Sequence, residues 1–214
     1  MKNVRMFYSK TGRMKFVSHL DMTRFMSRLI AKSKIPVWYT EGFNQHIYMN
    51  FALPLSLGYE GLYEVMDFRL NDDSYPLEEC LKKMKAAAPD GIQFFAIAEP
   101  ITPMKEIGWA EFKLTFETSD CDVIDRIGEF LSQDSILCEK AGKKGKVKQI
   151  DLIPKINAFS INGNELTLRL IAGTEDNLNP SLVMSAFFEQ TKTTPVFYAV
   201  KRTDILDKKL NRFT

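Results

Sequence analysis

Residues 3–39 read NVRMFYSKTGRMKFVSHLDMTRFMSRLIAKSKIPVWY, and the order of local signals in this stretch decides the fold class. Residues 3–9 are rich in β-formers, and Thr11-Gly12 marks a turn. From His19 to Lys34 the apolar residues Leu20, Phe25, Met26, Leu29 and Ile30 recur at helical spacing. Ser18 stands where an N-cap belongs, and Asp21 puts a carboxylate in the first turn, where the helix dipole favours it. Pro36 stops the helix, and Val37-Trp38-Tyr39 starts a second strand.

Working outward, residues 47–55 and 62–70 predict two more strands, Pro76–Ala88 a helix and Ile92–Ala98 a last strand. The order strand-helix-strand-strand-helix-strand is the split βαβ unit of a ferredoxin-like fold. The second half repeats the order. Trp109–Thr118 alternates as a strand, and Val123–Leu131 is a helix with Asp120 or Asp122 near its start. Residues 135–139, 146–152 and 165–171 predict strands, with Asn162-Gly163 as a hairpin turn. Asn179-Pro180 opens a helix through Gln190, and Pro195–Lys201 closes with a strand. Pro100-Ile101-Thr102-Pro103 is the natural linker, and the residues from Asp204 are polar and expected to be loose. The expectation is an α+β protein of two tandem ferredoxin-like domains, residues 1–102 and 103–214. The halves share no sequence identity, so only the order of elements repeats.

Composition narrows the class. Of 214 residues, 45% are hydrophobic and 26% charged, which excludes wholesale disorder. No stretch is apolar enough for a membrane span, and the first residues carry charge without an apolar signal core. Cys80, Cys121 and Cys138 are widely spaced and odd in number, so neither a disulfide framework nor a paired-cysteine metal site is indicated. A cytoplasmic location is expected. The net charge of +2 hides an asymmetry: residues 1–40 hold nine bases and one acid, Asp21, whereas residues 60–99 hold nine acids and four bases. Either folding pairs the two segments, or a basic face is left for a polyanion.

Candidate chemistry gathers in one polar segment. Both histidines, His19 and His46, lie there with Asp21, Arg24, Glu41 and Asn44, so these six are the candidate catalytic residues. The two segments that hold them, Ser18–Asp21 and Glu41–His46, are expected to lie together. His19 and Asp21 are two apart and point away from each other on a helix, so no metal site is assigned. No nucleophile elbow, P-loop or dinucleotide fingerprint occurs, and no cofactor is expected. Residues 139–148, EKAGKKGKVK, place Lys140, Lys143, Lys144, Lys146 and Lys148 around two glycines, suited to neutralising phosphates. Arg13, Lys15 and Arg202 join them as candidate nucleic-acid contacts. Phe16, Trp38, Tyr39, Phe43 and Tyr48 offer ring faces for unpaired bases or, as strand aromatics, core packing.

Ser18-His19-Leu20-Asp21, Arg24, Ile35-Pro36-Val37, residues 41–46 (EGFNQH) and residues 51–58 (FALPLSLG) form a motif block. Together with residues 148–154 (KQIDLIP), Asn179-Pro180 and Lys201-Arg202-Thr203, it resembles the radical-SAM-linked domain of unknown function family numbered 2344. Members resemble either free-standing proteins or extensions of radical S-adenosylmethionine proteins. Their bacterial gene neighbourhood, of ribonuclease and ribosomal-protein genes, implies work on RNA. The chain lacks the CxxxCxxC cluster motif, so a radical enzyme would be a separate partner. It also departs from the family at Gln45 and Ile47, where prolines are usual, and at Tyr48, a common basic position. Three readings follow. The first is a non-catalytic RNA-associated module that serves a radical enzyme in RNA modification or processing. The second is an RNA-cleaving or RNA-modifying enzyme that uses His19 or His46, and the third a protein-interaction scaffold for a radical partner.

Overall fold

The computed structural model describes residues 1–117, 121–141 and 147–214. The first half runs β1 (Lys2–Lys10), α1 (His19–Lys32), β2 (Met49–Phe51), β3 (Glu60–Leu70), α2 (Leu77–Ala87) and β4 (Ile92–Ala98). The second half runs β5 (Ile107–Phe116), α3 (Cys121–Leu131), β6 (Leu137–Ala141), β7 (Val147–Asp151), β8 (Ile156–Asn162), β9 (Glu165–Ile171), α4 (Pro180–Thr191) and β10 (Tyr198–Asp207). The chain is a mixed α/β protein, with four helices set against mostly one sheet among the described residues. No helix among them is long and apolar enough to cross a membrane.

The main sheet has the order β4-β1-β3-β10-β5-β9-β8 and is antiparallel except at its centre. There β10 runs parallel to β3, through Lys201↔Glu60 and Arg202↔Gly61, and joins the two halves. Further along, β2 pairs with Met66–Phe68 of β3. The hairpin β6–β7 forms its own two-stranded sheet.

Strand alternation sorts side chains to the two faces. On β1, Val4, Met6 and Tyr8 pack with Met66, Phe68 and Leu70 of β3 beneath α1 and α2. Phe7 and Val65 point the other way, into the core of the second half, which therefore extends across residue 102. Helix α1 buries Met22, Met26, Leu29 and Ile30, one face at helical spacing. Leu20, expected in that stripe, is instead 60% exposed.

Three expectations are corrected. The strand predicted over 47–55 shrinks to β2, and Val37 and Tyr39 make only isolated bridges to Leu70 and Ile47. The strand β8 was not anticipated, since its exposed, irregular burial leaves no clean alternation to read. The residues after Asp204 are not loose. β10 continues to Asp207, and Phe213 is 1% exposed. Arg5 stacks on the Phe213 ring at 4.4 Å, pairs with Asp67 at 2.7 Å, and donates to the carbonyls of Thr102 and Thr214 at 2.8 Å each. One buried guanidinium thus ties the linker and the last residue to β1, where polar composition alone suggested freedom.

Candidate functional site

The start of α1 is a capped helix terminus. Ser18 has extended backbone, accepts the Asp21 amide N–H at 3.2 Å, and donates its hydroxyl to the Asp21 carboxylate at 2.7 Å. Arg24 pairs with Asp21 at 3.3 Å, both side chains being about 60% exposed. Asp21 and Arg24 therefore serve the helix start. His19 sits edge-on against Phe51, ring centroids 5.3 Å apart. That contact brings the Ser18–Asp21 motif onto the 51–58 motif.

The second histidine closes its own loop. The Thr40 amide donates to the His46 carbonyl at 2.8 Å, and the His46 amide donates to Thr40 Oγ1 at 3.2 Å. His46 Nδ1 lies 3.0 Å from the Asn44 carbonyl and 3.0 Å from Thr40 Oγ1. A carbonyl only accepts, so the contact with Asn44 places a proton on Nδ1. Gly42, at φ +111°, permits the tight turn that projects Phe43, whose ring is wholly exposed. Glu41 and Asn44 are exposed on the same loop. No hydrogen bond, ion pair or ring contact joins His19 to His46 among the described residues. No group of three or more metal-ligating side chains gathers among them either.

The densest polar chemistry lies at the seam between the halves, which the sequence reading missed. Arg202 is 3% exposed. Its Nε donates to Glu64 at 2.9 Å, and its Nη2 donates to Glu64 and, at 2.7 Å, to the Leu53 carbonyl. This arginine was expected to meet phosphate; it is enclosed and committed to a buried carboxylate. Lys10, also 3% exposed, donates to the Val17 carbonyl at 2.8 Å. Burial lowers its ammonium pKa, against the pull of Glu64. Burial and the Glu64 charge push the Tyr8 phenol well above its ordinary value. The cleft over these groups, lined by His19, Phe51, Leu53 and Pro54, holds about 10 Å³, room for one water.

Beside it, Asn179 caps α4 by accepting the Ser181 amide at 2.9 Å. The same side chain accepts the Tyr59 hydroxyl at 2.8 Å and donates to Ser56 at 2.7 Å. The 51–58 block, Asn179-Pro180 and Arg202, distant in sequence, thus meet in one network. The retrievable signal was that these motif residues include buried-type polar residues with no local partner.

The cations divide clearly. Arg5 and Lys10 are buried, and Lys2 pairs with Glu99 at 3.2 Å, so the basic and acidic segments do meet in part. Arg28, Lys32 and Lys34 are exposed with no carboxylate within ion-pair distance among the described residues. Arg24, Arg28 and Lys32, spaced by four, form a stripe on the solvent face of α1. Arg13 is exposed on the preceding short 3₁₀ turn, where the Lys15 ammonium lies 5.3 Å from the Phe16 ring centre. Lys148 is exposed. Lys143, Lys144, Lys146 and Asp120, and the side chain of Lys140, lie outside the described residues. Trp38 and Tyr48 flank the Arg69 guanidinium at 5.4 and 4.5 Å, which occupies both rings.

A mixed α/β chain on one mostly continuous sheet, with its motifs gathered at the seam, is what these observations define. Residues 3–180 match the family described as "Uncharacterized protein conserved in bacteria (DUF2344)", and the chain belongs to that family. No curated protein matches. Among solved structures the chain is similar to one in the "Crystal Structure of a Cbf5-Nop10-Gar1 Complex", with a TM-score of 0.44 and 10% identity over 94% of this chain. It spans about half of that protein, 48%. It is also similar to a putative glycine cleavage system transcriptional repressor, with a TM-score of 0.29 and 8% identity, covering 97% of this chain and 98% of that one. Likenesses this distant carry no argument about activity.

Proposed function

We propose that this chain is a cytoplasmic, non-catalytic RNA-associated module that serves a separately encoded radical S-adenosylmethionine enzyme in RNA modification or processing. The observation that carries the reading is the stripe of Arg24, Arg28 and Lys32 along α1, extended by Arg13 and Lys34. Cations spaced along an exposed helix meet successive phosphates without reading bases. A non-catalytic role suits the histidines: one rests on Phe51, the other is engaged within its loop. The likeness of the motif block to radical-SAM-linked proteins supplies the partner. We read each half as a ferredoxin-like unit, with the division near residue 102. The strand orders β4-β1-β3-β2 and β10-β5-β9-β8 support that reading, the hairpin β6–β7 being an insertion in the second.

The test is affinity purification of the tagged chain from its own cells, with and without ribonuclease, identifying bound RNA and protein together. Recovery of RNA with a CxxxCxxC protein is the expected result. Recovery of neither, or RNA cleavage by the purified chain that His46→Ala abolishes, would overturn the reading.

A further inference from the structure

A different surface of the first half points to a protein partner. Phe16, Leu20 and Leu57 are 67, 60 and 63% exposed, although each is large and apolar. The Gly58 amide donates to the Lys15 carbonyl at 2.8 Å, which sets the 56–58 turn beside the 3₁₀ turn that carries Phe16. Gly58 holds that turn at φ +84°, a conformation side chains resist. Leu20 lies on the first turn of α1, separated from Phe16 by the extended residues Val17 and Ser18. Exposed large apolar residues that cluster, rather than scatter, mark interaction sites. Beneath them Lys10 donates to the Val17 carbonyl and Asn179 to the Ser56 hydroxyl, which ties both turns to the seam.

The rim states the charge of the occupant. Arg13, Lys15 and Arg24 lie in the segments that carry the patch; nearby, Asp21 is engaged by Ser18 and Arg24, and Glu60 by the Gly12 amide and Lys201. A second copy of this chain would set these cations against one another, so self-association is disfavoured. We propose that Phe16, Leu20 and Leu57 form the docking surface for an acidic amphipathic segment of a partner protein. Its apolar side chains cover the patch, and its carboxylates meet Arg13, Lys15 and Arg24. Arg13 and Arg24 border both this surface and the cationic stripe, whereas Arg28 and Lys32 belong to the stripe alone, so substitution at those two separates the conclusions.

The probe is a synthetic helical peptide of about sixteen residues, built of Leu, Glu and Ala with leucines at i, i+3, i+4 and i+7. It is compared with a shuffled peptide of equal composition and with a Lys-for-Glu version, using backbone amide shifts of the intact chain. Saturable shifts confined to residues 15–20 and 56–58 are expected from the acidic peptide. Leu20→Ser/Leu57→Ser should weaken binding at least about tenfold through lost apolar contact. Both sites are exposed, so the variant should melt like the parent. Arg13→Glu/Lys15→Glu should weaken it similarly, whereas Arg28→Glu/Lys32→Glu should not. Equal binding of the shuffled or basic peptide, shifts elsewhere, or displacement by a single-stranded RNA at these residues would overturn the proposal.

Discussion

Glu64→Gln is the most revealing single change in this chain. The substitution keeps the shape and removes only the charge that balances two buried cations, Arg202 and Lys10. The Glu64 and Arg202 side chains are each 4% exposed, so water compensates neither. Stranding a buried charge costs about 3–5 kcal/mol. At this chain length that corresponds to roughly 6–20 °C in Tm, at about 2–4 °C per kcal/mol. Arg202→Met should cost less, because the nearby Lys10 ammonium remains to balance Glu64. Glu64→Leu/Arg202→Met should recover part of the Glu64→Gln loss, since one buried cation remains instead of two. Urea titration followed by far-ultraviolet circular dichroism gives all three values, with an unchanged m-value confirming that the folded state is intact. If Glu64→Gln costs less than about 1 kcal/mol, the size of an ordinary hydrogen bond, or if Arg202→Met proves the costlier change, the seam is not organised around Glu64.

Other expected outcomes follow from burial and loop geometry. Phe213→Ala should destabilise the chain by about 3–5 kcal/mol, with the Arg5 stack lost as well; a neutral result in urea would return the last residues to a dispensable role. Cys80 is fully buried and its thiol is pushed up to about 12 by desolvation. The folded state therefore keeps a proton that the unfolded state releases near pH 9. That contribution is fully present below pH 9 and is lost as pH rises toward 12. In Cys121→Ser/Cys138→Ser, a thiol reagent at pH 8 should label Cys80 only at the rate of unfolding, and fast labelling of the native chain would contradict its burial. Thr40→Val removes the hydroxyl that meets His46 and should drop backbone order parameters of residues 41–46 from about 0.85 toward 0.6. Unchanged values would mean that these bonds do not hold the Phe43 loop.

The legible parts of the sequence were those set by local physics. Ser18 and Asp21 announce the start of α1, and Asn179-Pro180 the start of α4, because capping is decided within a few residues. Periodicity also located β1, β3, α2 and β9 to within a few residues. It failed at Leu20, which lies off the face that α1 buries through Met22, Met26, Leu29 and Ile30. It failed again at Phe213, whose burial depends on Arg5, more than 200 residues away in sequence. Arg202 looked like a surface cation because a buried one is rare unless paired. Its partner Glu64 sits 138 residues earlier and adjoins it only because β10 docks parallel to β3. The polar network that joins the motifs is a product of tertiary register, which no local pattern encodes.

The salt dependence of RNA binding tests the central claim most directly. Affinity of the intact chain for a mixed-sequence single strand of about 20 nucleotides is measured from low to moderate salt and compared with Arg28→Glu/Lys32→Glu. If α1 meets phosphates through this stripe, the slope of log affinity against log salt flattens by about 0.7 per lost contact, roughly 1.4 in all, with equal loss across sequences. A wild-type chain that fails to bind, or a double variant with the same affinity and slope, contradicts the account.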